Sequence, residues 1–319
     1  MYHPFLRGKQ FELVALRDLA ESGVLASNGP IVPIIEPVRS STGSLQRSVA
    51  VLRAKSIPFV VVVNPAVGEL EGASDGVVSI AEDLDLSSYS LFRPALIVDE
   101  TTTEAQVQGF TRHWTGRQLF FVHLSNSSAG QAVRDASSVA GVDTCHAFHA
   151  DRTGFRYRSQ FKSFRRVLLE DAFNKATKNA DYPDDEFFSD LWTSFEDQGY
   201  DGFADFAVVG SDYQEEGGPA YAVAIHLTYQ HSDEEVWIRH FISDRRKTQV
   251  DPGGKFLEAL AHLVDYVERP GFSPTNASRE FVDLFRRKHF PGLGYVKKLS
   301  ICHHIELMNT LLKNGSSGL

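Results

Sequence analysis

Short apolar runs recur along the first half of the chain, and each of them ends in a polar residue. They cover residues 31–35, 59–63, 95–98, 119–122 and 167–169. Segments with apolar residues at helical spacing separate these runs, which predicts strands alternating with helices. Strands joined by helices lie parallel and are buried on both faces. The pattern therefore predicts an α/β fold, a TIM-barrel-like (β/α) barrel that binds ligands at the carboxyl ends of its strands.

The alternation of strands and helices gives way to a different pattern after residue 170. Before it, we predict helices over 9–22, 44–55, 76–84, 104–113 and 129–139 and a weaker strand over 143–149. After it, we predict a helix over 184–198, a strand over 203–209, a β-hairpin with arms 221–229 and 236–242, and helices over 255–267, 275–288 and 298–312. We expect one domain over 1–313, with the barrel and its hairpin in 1–250, C-terminal helices in 251–313 and a disordered tail in 314–319.

The amino-acid composition indicates which classes of protein this chain can belong to. A chain of 319 residues that is 42% hydrophobic can bury a large core. Its net charge of -9 argues against general binding to nucleic acids or to anionic membranes. The chain has two cysteines, Cys145 and Cys302, which are far apart and do not form a CxxC motif. This pattern is typical of reduced thiols in a cytosolic protein. The first residues are too polar for a signal peptide, and no apolar run approaches the length of a membrane span, so we expect a soluble cytoplasmic protein.

Carboxylates and histidines follow several of the predicted strands. Glu36, Asp99 and Glu170 stand at strand ends and are expected to converge at the barrel mouth. Carboxylates packed together repel one another unless they bind a cation, so the three predict a site for Mg²⁺ or Mn²⁺. His123 and His149 would then transfer protons as catalytic partners of the carboxylates. The alternative is that each carboxylate caps the helix that follows it.

Amide and basic side chains supply candidate ligand-binding groups. Asn64 follows the second strand, and residues 155–166 combine five cationic residues with four aromatic ones and no acid. Arg156, Arg158 and Arg165 in this segment are predicted to clamp a phosphate beside the acidic mouth, since arginine and aromatic rings bind phosphates and bases. The alternative is a solvated loop whose arginines neutralise the acidic rim.

Other motifs for catalysis are weak in this sequence. No histidine pair has the HExxH spacing of zinc enzymes, and no GxSxG element indicates a serine hydrolase. His226 and His240 lie on opposite arms of the predicted hairpin. We expect His226 to be a half-buried strand residue whose polar atoms are satisfied by a neighbour.

The beginning of the chain resembles that of the beta family, a bacterial and phage protein group. The residues that carry the resemblance are 1–13 (MYHPFLRGKQFEL) and 31–37 (IVPIIEP), with further segments at 202–206, 217–226 and 292–294. The resemblance implies a barrel-like α/β fold. It also implies a place in mobile or defence-associated gene neighbourhoods, beside a second small gene that encodes a partner.

Four charged residues match the amino-terminal pattern of that family: Arg7, Lys9, Glu12 and Glu36. The resemblance assigns none of them a catalytic role. Their chemistry leaves two interpretations open. The cations either pair with Glu12 or Glu36, or they form an anion site.

Two functional hypotheses follow from the residues and the resemblance. The first is a component of an anti-phage defence-type system, a sensor or scaffold whose barrel mouth binds a ligand and which acts with a co-encoded partner protein. The second is a metal-dependent hydrolase or phosphodiesterase-like enzyme that acts on a phosphorylated or nucleotide ligand.

Overall fold

Eight parallel strands form the centre of the computed structural model, which describes residues 1–72, 80–139, 143–215 and 221–315. The strands are β1 (Tyr2–Leu6), β2 (Ile34–Ile35), β3 (Phe59–Val62), β4 (Phe92–Val98), β5 (Leu119–His123), β6 (Thr144–His149), β7 (Arg165–Glu170) and β9 (Gly202–Asp205). They close into a barrel in that order, with β9 hydrogen-bonded to both β7 and β1. The prediction of a TIM-barrel-like α/β fold is confirmed.

Helices connect most of these strands, as the sequence predicts. They are α1 (Gln10–Glu21), α2 (Gly43–Ala54), α3 (Glu104–His113), α4 (Gly130–Ser137) and α5 (Phe155–Ser159). At the start of α3, Thr103 and Gln106 form a reciprocal capping box, which satisfies amide groups that the first helical turn leaves unpaired. The helix predicted over 76–84 lies partly outside the described residues, and residues 80–83 are helical.

Side chains on the barrel strands point alternately to the barrel interior and to the surrounding helices. The interior cluster includes Phe5, Ile34, Val60, Val62, Ile97, Phe120, Val122, Ala147, Val167, Leu169 and Phe206. The outer cluster, under the helices, includes Phe59, Val61, Leu96, Phe121, Phe148 and Leu168. Because successive strand residues face opposite sides, this alternation decides which polar residues at the strand ends reach the mouth.

Strand β1 is absent from the sequence prediction. Residues 2–6 contain a central proline and no β-branched residue, and the segment is too short to show a clear strand pattern. In the structure β1 pairs with β2 on one side, through Phe5 and Ile34, and with β9 on the other, through Tyr2 and Phe203. It is the strand that closes the barrel.

A three-stranded antiparallel sheet lies outside the barrel in the order β10, β11, β8. Its strands are β8 (Asp185–Ser189), β10 (Ala224–Gln230) and β11 (Val236–Ile242). The predicted hairpin is therefore confirmed, but the predicted helix over 184–198 is wrong. Phe187 is exposed and Phe188 is buried, which is the alternation of a strand. Only a short helix, α6 (Leu191–Ser194), follows β8 in that segment.

Three long helices complete the described chain: α7 (Pro252–Val267), α8 (Asn276–Arg287) and α9 (Leu293–Gly315). α9 packs against α1, α8 and β10, so it joins the barrel to the accessory sheet. The predicted tail begins too early, since residues 314 and 315 belong to α9, and 316–319 lie outside the described residues. Nowhere among the described helices is there one with the length and apolarity needed to cross a membrane.

A buried polar network links the closed barrel to α9 and the accessory sheet. The Tyr2 hydroxyl donates to Asp205 Oδ1 over 2.8 Å, and the backbone N–H of Ala207 donates to the same oxygen. His304 Nε2 lies 3.0 Å from Asp205 Oδ2, and its Nδ1 lies 3.0 Å from Thr228 Oγ1. Losing one member of such a network leaves the other buried polar groups without partners.

We expect Asp205→Ala to lower the free energy of unfolding by about 3 kcal/mol, because it leaves a buried hydroxyl and a buried imidazole unsatisfied. Urea unfolding measures the change. The matched control is Asp244→Ala, which removes an exposed carboxylate whose partner is His262. This control should change stability by less than about 0.5 kcal/mol, and an equal effect of the two substitutions would contradict the role assigned to Asp205.

Candidate functional site

An ion pair between Arg7 and Glu36 lies at the barrel mouth, where β1 and β2 end. Arg7 Nε lies 3.1 Å from Glu36 Oε2, and the backbone N–H of Ala66 donates to Glu36 Oε1 over 2.8 Å. The guanidinium also lies 5.6 Å from the ring centre of Phe206. Burial raises the pKa of the Glu36 carboxyl, and the charge of Arg7 opposes that shift. Glu36 therefore lies at the mouth as predicted, with a cation of the protein itself as its partner.

Asn64 and Asp99 have structural partners. The Asn64 side chain donates to the carbonyl of Ile97 over 2.9 Å and accepts from its N–H over 2.7 Å, which extends the pairing of β3 with β4. Asp99 Oδ1 accepts hydrogen bonds from the N–H groups of Thr101 and Thr102. These contacts match the capping alternative for Asp99 and engage both the nitrogen and the oxygen of the Asn64 amide with the backbone of β4.

His123 does not lie at the mouth, contrary to the prediction. Its neighbour Val122 faces the barrel interior, so His123 points outward, among the helices. Its Nδ1 lies 2.9 Å from the Tyr157 hydroxyl and its Nε2 lies 3.2 Å from Nδ1 of His146. Burial lowers the pKa of His123 well below its usual value. The residue is a neutral member of an aromatic cluster in the outer core.

Glu170 also faces outward, so the predicted metal site is not formed. Its carboxylate accepts a hydrogen bond from Ser189 on β8, and burial raises its pKa to about 7. Glu36 is paired with Arg7, and Asp99 caps its own loop. Across the described ranges of the chain, no three histidine, cysteine, aspartate or glutamate side chains are grouped so that they could hold a metal ion.

The three arginines predicted to clamp a phosphate are spread over two ends of the barrel. Arg165 begins β7 and is exposed at the amino-terminal end, opposite the mouth. Arg156 and Arg158 lie on α5, which follows β6. Arg158 donates to the carbonyl of Ala150 over 2.7 Å, while Arg156 is exposed. The basic segment therefore does not form one phosphate clamp.

His149 lies at the mouth, as predicted. It ends β6 with the same inward orientation as Ala147. Its ring centre lies 6.1 Å from that of Phe206, and neither ring nitrogen has a hydrogen-bond partner among the described residues. Burial lowers the pKa of His149, so the imidazole is a neutral group under the mouth.

A cavity of about 240 Å³ opens at the carboxyl ends of β1, β7 and β9. Segments that follow these strands form its walls, and β10 and the first turns of α9 close it. A larger groove of about 1030 Å³ adjoins it. The cavity and the groove, together called the cleft, share the side chains of Lys9, Glu12, Gln214, Leu293 and Lys297.

Cations dominate the inner cavity of the cleft. Its charged and titratable lining consists of Arg7, Lys9, Glu12, Lys175, Tyr182, Asp212, Tyr213, His226 and Lys297. Lys9 lies 4.6 Å from the ring centre of Tyr213, and its ammonium donates to the carbonyl of Gln214. Lys297 is exposed to solvent, and partial desolvation lowers the pKa of its ammonium. The cavity lining therefore has more cationic than anionic side chains, although the chain as a whole is acidic.

Glu12 is a buried carboxylate inside this cationic lining. It is 2% exposed, and no side chain in the described part of the chain donates a hydrogen bond to it. Burial raises its pKa, and the charge of Lys297, the backbone N–H of Arg7 and the charges of Lys9 and Arg7 oppose that shift. A buried carboxylate without a side-chain donor is unfavourable for stability and is typical of binding sites.

Sequence reasoning named the cations Arg7 and Lys9 as one alternative for an anion site, with Glu12 only as a possible ion-pair partner, and did not include Lys175 or Lys297. Lys175 lies in the irregular segment between β7 and β8, and Lys297 lies on α9. Both are far in sequence from Arg7 and Lys9. A signal was available only for Lys297, which closely follows the Gly292–Gly294 segment of the family resemblance.

We expect Asp99→Asn to lower the free energy of unfolding by about 1 kcal/mol, because an amide is a weaker acceptor than a carboxylate for the two backbone N–H groups. Urea unfolding measures this change. Asp83→Asn, at an exposed position, is the control and should leave stability unchanged. A stabilising effect of Asp99→Asn would contradict the capping role.

Glu12→Gln should reduce the dependence of stability on pH. Because the pKa of Glu12 is raised in the folded state, its contribution is present at low pH and is lost as the pH rises through the folded-state pKa. The free energy of unfolding of the wild type should therefore decrease relative to that of Glu12→Gln as the pH rises above about 4.3. Urea unfolding at a series of pH values measures the slope. The exposed control Glu21→Gln should keep the wild-type slope, and an unchanged slope in Glu12→Gln would contradict the prediction.

No family model and no curated protein matches this chain. Among solved structures, it is similar to the citrate synthase SbnG, with 12% identity and a TM-score of 0.38 over 64% of this chain and 85% of that one. It is also similar to FabK from Thermotoga maritima, with 13% identity and a TM-score of 0.39 over 99% of this chain and 94% of that one. Similarity at this level says nothing about function, and the barrel assignment rests on the strand order of this chain.

Proposed function

We propose that this protein binds a phosphorylated small molecule in the cleft at the carboxyl-terminal face of its barrel. One observation carries the proposal: Arg7, Lys9, Lys175 and Lys297 line one cavity, and within the described chain none of the three lysines has a carboxylate within 4.0 Å. Like charges gathered in one cavity repel one another unless an anion neutralises them. A bound anion would remove that repulsion.

Phosphate suits this cavity better than a single carboxylate does. Several cations around one small space match an anion with more than one charge and several acceptor oxygens. Arg7 contributes a directional group, since its Nη1 is buried and has no hydrogen-bond partner among the described residues. The adjoining groove of about 1030 Å³ has room for the rest of the molecule, so a phosphate ester fits the site as a whole.

The biological setting of this binding site is also a proposal. The beta-family resemblance supports a component of an anti-phage defence-type system, in which the ligand-binding barrel serves as a sensor or scaffold for a co-encoded partner. A metal-dependent hydrolase finds less support. The carboxylates proposed as ligands, Glu36, Asp99 and Glu170, have separate partners within the protein.

Calorimetric titration with pyrophosphate at low ionic strength tests the proposal. We expect the wild type to bind and Lys297→Met to bind at least about tenfold more weakly, a loss of about 1.4 kcal/mol. Methionine keeps the unbranched apolar stem of lysine and removes only the charge. Added salt should weaken wild-type binding, because screening reduces the attraction between exposed charges.

The matched control is Lys55→Met, which removes an exposed lysine at the end of α2, away from the cleft. It should bind pyrophosphate as the wild type does. Absence of binding to the wild type, or equal affinities of the wild type and Lys297→Met, would contradict the proposal.

A further inference from the structure

Three side chains line up across the accessory sheet behind the wall of the cleft. His226 on β10 and His240 on β11 are directly opposed, and their Nδ1 atoms lie 2.7 Å apart. His240 Nε2 lies 3.0 Å from Oε1 of Glu186 on β8. The other oxygen of Glu186 accepts a hydrogen bond of 3.0 Å from Asn174. This row therefore runs from an oriented carboxylate to His226, which lines the cavity.

The carboxylate decides where the protons lie in this row. A carboxylate only accepts hydrogen bonds, so His240 must carry its proton on Nε2. The Nδ1 of a neutral His240 is then an acceptor, and the proton between the two rings belongs to Nδ1 of His226. His226 is left with an unprotonated Nε2. That atom makes no hydrogen bond to a described residue, so its lone pair is available to a ligand in the cavity.

The surroundings of the two imidazoles favour their neutral forms in the absence of a ligand. Burial lowers the pKa of His226 to about 3, and His240 and Lys297 add to that shift. Burial also lowers the pKa of His240, which Glu186 and Asp185 oppose. Two aromatic rings pack on the pair, those of Phe173 and Tyr182. An anion in the cavity would favour the imidazolium form, so binding would make His226 a stronger base.

We propose that the cleft is an acid–base catalytic site in which Nε2 of His226 takes a proton from a hydroxyl of a bound phosphate ester, with His240 and Glu186 as positioning residues. This proposal rests on the anion binding proposed above. It adds a reaction and a substrate class, a phosphate ester that carries an ionisable hydroxyl.

The proton transfer balances within the groups of the cleft. The O–H bond of the ligand breaks, an N–H bond forms at Nε2, and the bonding electron pair stays on the oxygen. The ammonium of Lys297 stabilises the new negative charge on the oxygen. Glu186 stabilises the imidazolium through His240, as a buried carboxylate does for a histidine base.

Nuclear magnetic resonance of the full chain labelled with ¹⁵N-histidine tests the proposal, because ring nitrogen shifts report which nitrogen carries the proton. His226→Asn identifies the resonances of His226. In the wild type at neutral pH we expect the proton on Nδ1 and none on Nε2. Pyrophosphate, which is partly protonated at neutral pH and so carries a P–OH group, should shift the Nε2 resonance. The exposed His262 is the internal control and should not shift.

Glu186→Gln separates a positioning role from simple packing. It keeps the size of the side chain and removes the charge that holds the proton on Nε2 of His240. We expect the fraction of His226 with a protonated Nε2 to rise, and an unchanged tautomer would overturn the role of Glu186.

Two results would overturn the catalytic role of His226. The first is a proton on Nε2 in the wild type. The second is an Nε2 resonance that pyrophosphate does not shift although calorimetry shows binding. Failure of the anion-binding proposal appears separately, as calorimetry without pyrophosphate binding, and the tautomer of the free protein still tests whether His226 is an acceptor.

Discussion

The hydrogen bonds of Asp205 hold together the parts of the molecule that form the cleft. Its carboxylate joins Tyr2 on the strand that closes the barrel to His304 on α9, and His304 in turn contacts β10. α9 carries Lys297 and β10 carries His226, which lie on two walls of the cavity. Since all these contacts are buried, the closure of the barrel and the geometry of the candidate site depend on one network.

The cavity at the barrel mouth is lined mainly by positive charge, although the chain as a whole is acidic. The net charge is -9, yet the cavity is lined by four cationic side chains and two carboxylates, the buried Glu12 and the exposed Asp212. Glu36 forms its ion pair with Arg7. Within the described chain, no carboxylate lies within 4.0 Å of the ammonium groups of Lys9, Lys175 or Lys297. A cavity lined mainly by positive charge raises the local concentration of small anions, even in a protein that is acidic overall.

The alternation of apolar and polar positions was enough to predict the barrel, because buried parallel strands are continuous apolar runs. The same pattern did not predict β1. This short segment contains a proline and forms a strand through its pairing with β2 and β9. Because Glu36 and His149 stand at the ends of strands, the sequence correctly predicted that they lie at the mouth. The same reasoning misplaced His123, because a shift of one residue along a strand turns the side chain to the opposite face. Lys297 was missed because only the packing of α9 against α1 and β10 brings it to the cavity.

The central claim is that the cations of the cleft bind a phosphate group. Crystals soaked in tungstate, a phosphate analogue with a strong anomalous signal, would locate that group directly. The account predicts an anomalous peak within contact distance of Arg7 and Lys297 that is lost in Lys297→Met and kept in Lys55→Met. Tungstate bound elsewhere with the cleft empty, or a peak that survives in Lys297→Met, would contradict it.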